Sequence, residues 1–481
     1  MRKILATLLL LCSTAMWSMG KDGYKIDITF KNNITDSTVY LAHYFGKALP
    51  TIFKIDSAKV VKGKAVFENK NEIIGGVYLL IYGNNTRVQE FLLENGNSFG
   101  ITIQYQANSL SDIAHTQFTN SPANDRYLKY NRMMEQDAEK SKEYMVALTQ
   151  AKNHTDSVNI AAKHFELQKQ QKDFRKQYTT QYPNTLLSAI FSAMQMPEVP
   201  VGDHYLADGK TKDTLYPYYY YKEHYWDGFN FKDDRLVYTP IYDAKLNNYF
   251  NNWVMPIPDS VKYEADKLLK ATAQTKELFR YTLRTLTNNS LQSKIMGIDE
   301  VFVYLVEQYY MKGAAYWLSE KDIDWYQKRA QKIAPNVLGN IAPDLLMQDI
   351  FTMQDKALHS IKSKYTVLVI WSYDCGTCQK EIPALLEAYN KDLKNKGVTV
   401  YSIASGGDLK EIQKFINNNK INSWINVGDI NNNTGYKDKY DAYSTPKLYL
   451  LDENKHIIGK GLDHTNIATV IERYELKNAS K

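Results

Sequence analysis

The chain has 481 residues, 44% of them hydrophobic and 23% charged, a length that calls for several domains and an apolar content that excludes wholesale disorder. Its 59 basic and 53 acidic residues leave a net charge of +6, too small at this length to argue for a nucleic-acid partner. Three cysteines, Cys12, Cys375 and Cys378, exclude a disulfide-stapled scaffold.

Residues 1–20, MRKILATLLLLCSTAMWSMG, place Arg2 and Lys3 before an apolar run and small residues at Ser18 and Gly20. This layout predicts a secretory signal cleaved near Gly20, and the run of about ten apolar residues is too short for a membrane anchor. A lipoprotein form at Cys12 is disfavoured, because Leu11 stands where a small residue is needed. Cleavage would leave Cys375 and Cys378 as the only cysteines of the mature chain.

Three further parts follow, and the period of the apolar residues separates them. Over 21–118 the pattern alternates, as in Tyr24, Ile26, Ile28 and Phe30, with turns such as Gly83, Asn84 and Asn85; this predicts an all-β, sandwich-like domain. Over 119–335 long polar segments predict an all-α domain, with helices over 124–152, 157–182, 260–286 and 299–312. Its tyrosine run, Tyr218 to Tyr221 with Tyr225 and Trp226, is assigned to packing between helices rather than to a binding surface.

The last part, 336–481, reads as an α/β domain. A β-branched strand over Tyr365 to Trp371 runs into SYDCGTCQKEIP and a helix that carries Ile382, Leu385, Leu386 and Tyr389. A strand over Val398 to Ala404 and a helix opened by Asp408 and Glu411 come next. A hairpin of Lys447 to Leu451 with His456 to Lys460, and a helix over 466–476, close the chain.

Cys375 and Cys378 lie three apart at a strand-to-helix junction, a spacing that lets them close a disulfide. Unpaired N–H groups and the dipole at a helix N-terminus favour the thiolate of the first cysteine, activating it as nucleophile. A zinc site is the competing reading, but no further cysteine is at hand, and the domain has only His359, His456 and His464. A purely structural bridge across so short a loop would stabilise little. Redox chemistry is therefore the expectation, with no cofactor and no metal.

Around this pair the sequence resembles the thioredoxin-like proteins, and more closely the exported TlpA and ResA type of thiol-disulfide oxidoreductase. The resemblance rests on Trp371, on CGTC at 375–378, on Glu381 and Pro383 in a CxxCxxExP pattern, on Thr445 and Pro446 before a strand, and on GNIAPDL at 339–345. It covers about the last 140 residues. It implies that Cys375 attacks a partner disulfide and Cys378 resolves the mixed disulfide, with Glu381 exchanging the Cys378 proton. It further implies that Trp371, Thr445 and Pro446 border the substrate, with Pro446 in a cis bond that leaves the Thr445 backbone free to pair with an extended segment.

Two departures from the family bear on redox direction. Val369 stands where thioredoxin has a buried aspartate, and Asp374 directly precedes Cys375. The neighbouring carboxylate raises the thiol pKa and predicts a reducing couple. A peroxiredoxin-like peroxidase is disfavoured, because Leu368 stands where that family has proline, so that half of its pattern is missing although Ser372 fits the threonine or serine position. The resulting expectation is a periplasmic or outer-envelope oxidoreductase. It would reduce disulfide-containing envelope proteins and be re-reduced by a membrane thiol reductant of the DsbD or CcdA type. The alternative is an envelope peptide- or glycan-binding protein with an accessory thioredoxin-like domain.

Overall fold

A computed structural model describes residues 22–32, 34–106 and 111–479, so the expected signal over 1–20 lies outside the described residues. The described residues form two compact units, one of residues up to 249 with 275–278, the other of residues 250–274 with those from 279 onward.

The first unit opens with eight strands: β1 Tyr24–Phe30, β2 Thr38–His43, β3 Phe53–Lys59, β4 Lys64–Asn69, β5 Gly76–Tyr82, β6 Arg87–Leu93, β7 Asn97–Ile103 and β8 Thr116–Thr119. They pair as two sheets, in the orders β4-β1-β7-β8 and β3-β2-β5-β6. The period-two pattern of β1 sends Tyr24, Ile26, Ile28 and Phe30 into one core, where Val39, Leu41, Leu80 and Phe91 arrive from the opposing sheet. Each fully buried aliphatic or aromatic side chain contributes about 1.5–3 kcal/mol, enough to specify the register of a half-exposed strand. The expected sandwich is therefore present, with β8 as a strand that the sequence pattern did not reveal.

Five helices follow, the last of them running past the end of this unit: α1 Pro122–Thr149, α2 His154–Gln181, α3 Leu186–Ala193, α4 Tyr216–Glu223 and α5 Tyr242–Asn252. Proline at the first position opens α1, where its missing N–H costs nothing, and the Asn153 side chain caps α2 by accepting from the Asp156 amide. The tyrosine run forms α4, and Tyr225, Trp226, Phe229, Tyr242 and Tyr249 pack ring against ring.

The expected helix over 260–286 is two helices, α6 Pro258–Thr272 and α7 Glu277–Gln292. The break is set from a distance, because the Asp234 carboxylate accepts from the amides of Lys276, Glu277 and Leu278 at 3.0, 3.0 and 2.9 Å and so caps α7. The expected helix over 299–312 is shorter, α8 Asp299–Leu305 followed by a π-helical turn over Val306–Tyr310.

In the second unit, α9 Glu320–Ile333 starts at a capping box formed by Ser319 and Asp322. The unit then builds a seven-stranded sheet from β9 Leu346–Asp349, β10 Asp355–Ala357, β11 Tyr365–Trp371, β12 Val398–Ala404, β13 Ile425–Gly428, β14 Lys447–Leu451 and β15 Ile457–Lys460. Its order is β10-β9-β13-β12-β11-β14-β15, with β11 parallel to β12 and antiparallel to β14. All seven residues of β11 are buried, as its unbroken apolar run predicts. Val367, Val369 and Trp371 face a core shared with α10 Cys378–Ala388, α11 Leu409–Asn418 and the last helix, while Leu368 and Ile370 face Tyr401, Tyr440 and Tyr449 on the other side. With α12 Tyr436–Lys439 and α13 Ile467–Ala479 the domain is a covered mixed sheet of thioredoxin-like type.

Candidate active site

Burial on both faces fixes the end of β11, and with it the place where the chain leaves the sheet. From Trp371 the backbone turns through Ser372 to Thr377 and enters α10 at Cys378. The Cys375 amide donates to the Ser372 carbonyl at 3.3 Å, and the Gln379 amide to the Cys375 carbonyl at 3.0 Å, so the turn winds directly into the helix. Cys375 and Cys378 are joined in a disulfide with their Cα atoms 5.2 Å apart. Cys378 is fully buried, whereas Cys375 is partly exposed and Gly376 beside it faces open space.

This difference in access assigns the roles, since an incoming thiol or disulfide reaches Cys375 first. The Cys378 amide donates to Cys375 Sγ at 3.1 Å. That amide belongs to the first turn of α10, so on reduction it and the helix dipole favour a thiolate on Cys375. The Thr445 carbonyl lies 3.3 Å from the same sulfur, and the Thr445–Pro446 bond is cis. Thr445 and Pro446 therefore stand beside Cys375, although 70 residues separate Thr445 from it in sequence.

Trp371 occupies a different place from the one expected of a substrate-bordering residue. It is fully buried, its indole N–H donates to Ser402 Oγ at 2.7 Å, and its ring stacks on Phe415 at 4.6 Å between centroids. It supports the redox turn from beneath, within the core that includes Cys378. Val369 is likewise buried in that core, so this position of β11 carries no carboxylate. Asp374 is exposed and accepts a hydrogen bond from the Ser372 hydroxyl. Tyr373 lies against Gly407, where a Cβ would come within 2.4 Å of the ring; with φ at +105°, that position demands glycine.

Glu381, one turn into α10, has a partner that the sequence did not indicate. Its Oε1 accepts from the His464 amide at 2.6 Å, and its Oε2 lies 2.8 Å from His464 Nδ1. The carboxylate side chain is only 12% exposed. It thereby ties the redox helix to the loop between β15 and α13. In the sequence His464 is one of three scattered histidines of this domain, and no local motif marks a pairing across 83 residues.

The loop before Pro446 is held as well. Arg329 of α9 makes a two-pronged ion pair with Asp441 at 2.6 and 3.0 Å, and Asp441 adopts a left-handed φ of +46°. Lys332 donates to the Tyr443 hydroxyl at 2.8 Å and lies 3.3 Å from Asp438, whose carboxylate also accepts from Tyr443. The Tyr443 hydroxyl and the lysine hold the Asp438 carboxyl below its usual range. Among the described residues no cluster of three or more His, Cys, Asp and Glu has the arrangement of a metal site.

Comparison with known proteins agrees with this geometry. Residues 338–460 match the model of the AhpC/TSA family, and residues 24–127 and 163–336 match two domains of unknown function, DUF4369 and DUF5106. No curated protein matches the chain. Among solved structures, a domain of a possible thiol-disulfide isomerase from Cytophaga hutchinsonii is 40% identical, with 31% of this chain and 99% of that one covered and a TM-score of 0.29. The thioredoxin domain of a thiol-disulfide oxidoreductase from Bacteroides vulgatus is 26% identical over 29% of this chain and 97% of its own, with a TM-score of 0.27. A thioredoxin-like protein from Bacteroides caccae is 21% identical, with 58% and 97% covered and a TM-score of 0.46. Residues 338–460 are thus similar to the AhpC/TSA family, and the C-terminal domain is that of a thioredoxin-like oxidoreductase.

Proposed function

We propose that the protein is exported and reduces disulfides of envelope proteins through the Cys375–Cys378 couple. The observation that carries this reading is the graded access of the two sulfurs beside the cis-proline loop. Cys375 is reachable and bordered by the Cys378 amide and the Thr445 carbonyl, while Cys378 is buried beneath it.

In the reduced enzyme the Cys375 thiolate attacks one sulfur of a partner disulfide. The partner's S–S bond breaks, a mixed disulfide forms, and the departing sulfur leaves as a thiolate that takes a proton. Cys378 then loses its proton and attacks Cys375 Sγ, which releases the second partner thiol. Two electrons have passed to the partner, and the enzyme is left as the disulfide. The Thr445 backbone holds the partner segment extended during the first step by strand addition. The buried Cys378 needs a proton acceptor for the second step, and Glu381 is the carboxylate one turn away.

Re-reduction requires a thiol donor, and a membrane reductant of the DsbD or CcdA type fits an exported chain. The signal-like residues 1–20 support export, and Asp374 beside Cys375 supports a reducing couple. Trapping tests the proposal. Cys378→Ser, expressed with its own leader in a bacterial host, should accumulate mixed disulfides through Cys375 with envelope proteins. Recovery of the protein only from the cytoplasm, or of no adducts that reductant dissolves, would refute it.

A further inference from the structure

We infer that a cleft of about 550 Å³ in the second unit receives the stretch of substrate polypeptide that flanks its reactive cysteine, and that this stretch is apolar and acidic. The inference rests on the disulfide-reductase reading and names the class of substrate that this site selects.

The position of the cleft ties it to the chemistry. Its lining includes Lys447, which directly follows Pro446, and Leu462 and Asn466, which bracket His464, the partner of Glu381. The cleft is thus built from the start of β14, next to the loop that meets Cys375 at Thr445, and from the loop after β15 that meets Glu381 of the redox helix, together with the α7–α8 connection and α9. Its volume lies within the range of about 300–1,000 Å³ typical of ligand sites. A segment that pairs with the Thr445 backbone presents its flanking residues to these same loops.

Charge and polarity select the occupant. Four cations line the cleft and two carboxylates oppose them: Arg329 is matched by Asp441, and Lys460 by Asp299 at 2.5 Å. Lys294 and Lys447 have no carboxylate partner among the described residues, which leaves the lining with two uncompensated positive charges. Beside them Ile295 and Met296 are 52% and 38% exposed, apolar surface that an aliphatic side chain would cover. At the edge of the cleft Asn336 is 1% exposed, and its Oδ1 accepts no hydrogen bond. A polypeptide supplies all three complements, namely carboxylates, apolar side chains and amide donors.

The test uses the full chain and two peptides with the same disulfide, one flanked by Glu and Leu, the other by Gln and Leu. Wild type should reduce the acidic peptide with a kcat/KM about fivefold higher, an advantage carried by KM and sized for two partly exposed ion pairs. Lys294→Gln combined with Lys447→Gln should erase the preference. Equal rates in wild type, or a preference that survives the double substitution, overturn the inference. If neither peptide is reduced, the redox reading itself fails. Anisotropy with fluorescent versions of both peptides, serine replacing cysteine, then decides the cleft separately: preferential binding of the acidic one, lost in the double variant, supports it, and equal binding overturns it.

Discussion

Glu381→Gln preserves the shape of the side chain and removes its charge, which separates two roles the carboxylate can play. In the native protein it accepts from the His464 amide and pairs with the His464 ring at 2.6 and 2.8 Å, with only 12% of the side chain exposed. Hydrogen bonds to a charged group contribute about 1.5–3 kcal/mol each and neutral ones about 0.5–1.5, so loss of the charge across two bonds costs about 2 kcal/mol. The glutamine oxygen can still accept from the His464 amide. Glu381→Ala removes that acceptor too and leaves the amide unpaired, so its cost should reach about 3–4 kcal/mol. Urea titration should therefore rank wild type above Glu381→Gln and Glu381→Ala last. The chemical role has its own readout. A carboxylate that exchanges a proton with Cys378 disfavours its thiolate, so in a Cys375→Ser background Glu381→Gln should move the iodoacetamide alkylation profile of Cys378 to lower pH. An unchanged stability would refute the structural tie, and an unchanged alkylation profile would remove Glu381 from proton exchange with Cys378.

Three other outcomes follow from the same structure. Lys245 is 7% exposed, donates to the Gln195 carbonyl at 2.7 Å, and burial pushes its pKa from 10.5 down to about 8. The unfolded chain holds this proton to higher pH than the native state, so stability should rise between pH 8 and 10.5. The fall corresponds to about 3 kcal/mol, less about 1 kcal/mol for the bond to Gln195, so Lys245→Met should stabilise the protein by about 2 kcal/mol at pH 7. That gain should fade toward pH 10.5 in urea titrations, and a destabilised variant at pH 7 would contradict it. Equilibration with thiol buffers should place the Cys375–Cys378 couple well below the strongly oxidising value of about −120 mV. Asp374→Asn should raise that potential and lower the Cys375 pKa, and no change in either would take Asp374 out of the account. In the reduced protein a brief pulse of alkylating reagent should modify Cys375 well before Cys378, as their exposures require; equal labelling would contradict the assignment of roles.

The parts of this protein legible from sequence are those specified by neighbours in the chain. The run YTVLVIW is β11 as read, Asp408 caps α11 through the Lys410 and Glu411 amides, and CGTC lies at the strand-to-helix turn. What escaped is held by distant residues. The gap between α6 and α7 contains neither Gly nor Pro, and its cap comes from Asp234. The partner of Glu381 lies in a loop near the C-terminus, and Arg329 grips Asp441 across 112 residues. The strands β9, β10 and β13 are only three or four residues long, too short for a period to register. Trp371 was legible as part of the site but not in its depth, because its burial depends on Ser402 and Phe415 arriving from β12 and α11.

Insulin reduction by the full chain, with dithiothreitol as electron source, tests the central claim most directly. Wild type should accelerate precipitation of the insulin B chain, Cys375→Ser should abolish the acceleration, and Cys378→Ser should stall as a mixed disulfide. An inactive wild type, or activity that persists in Cys375→Ser, would contradict the assignment of a reducing couple to these two cysteines.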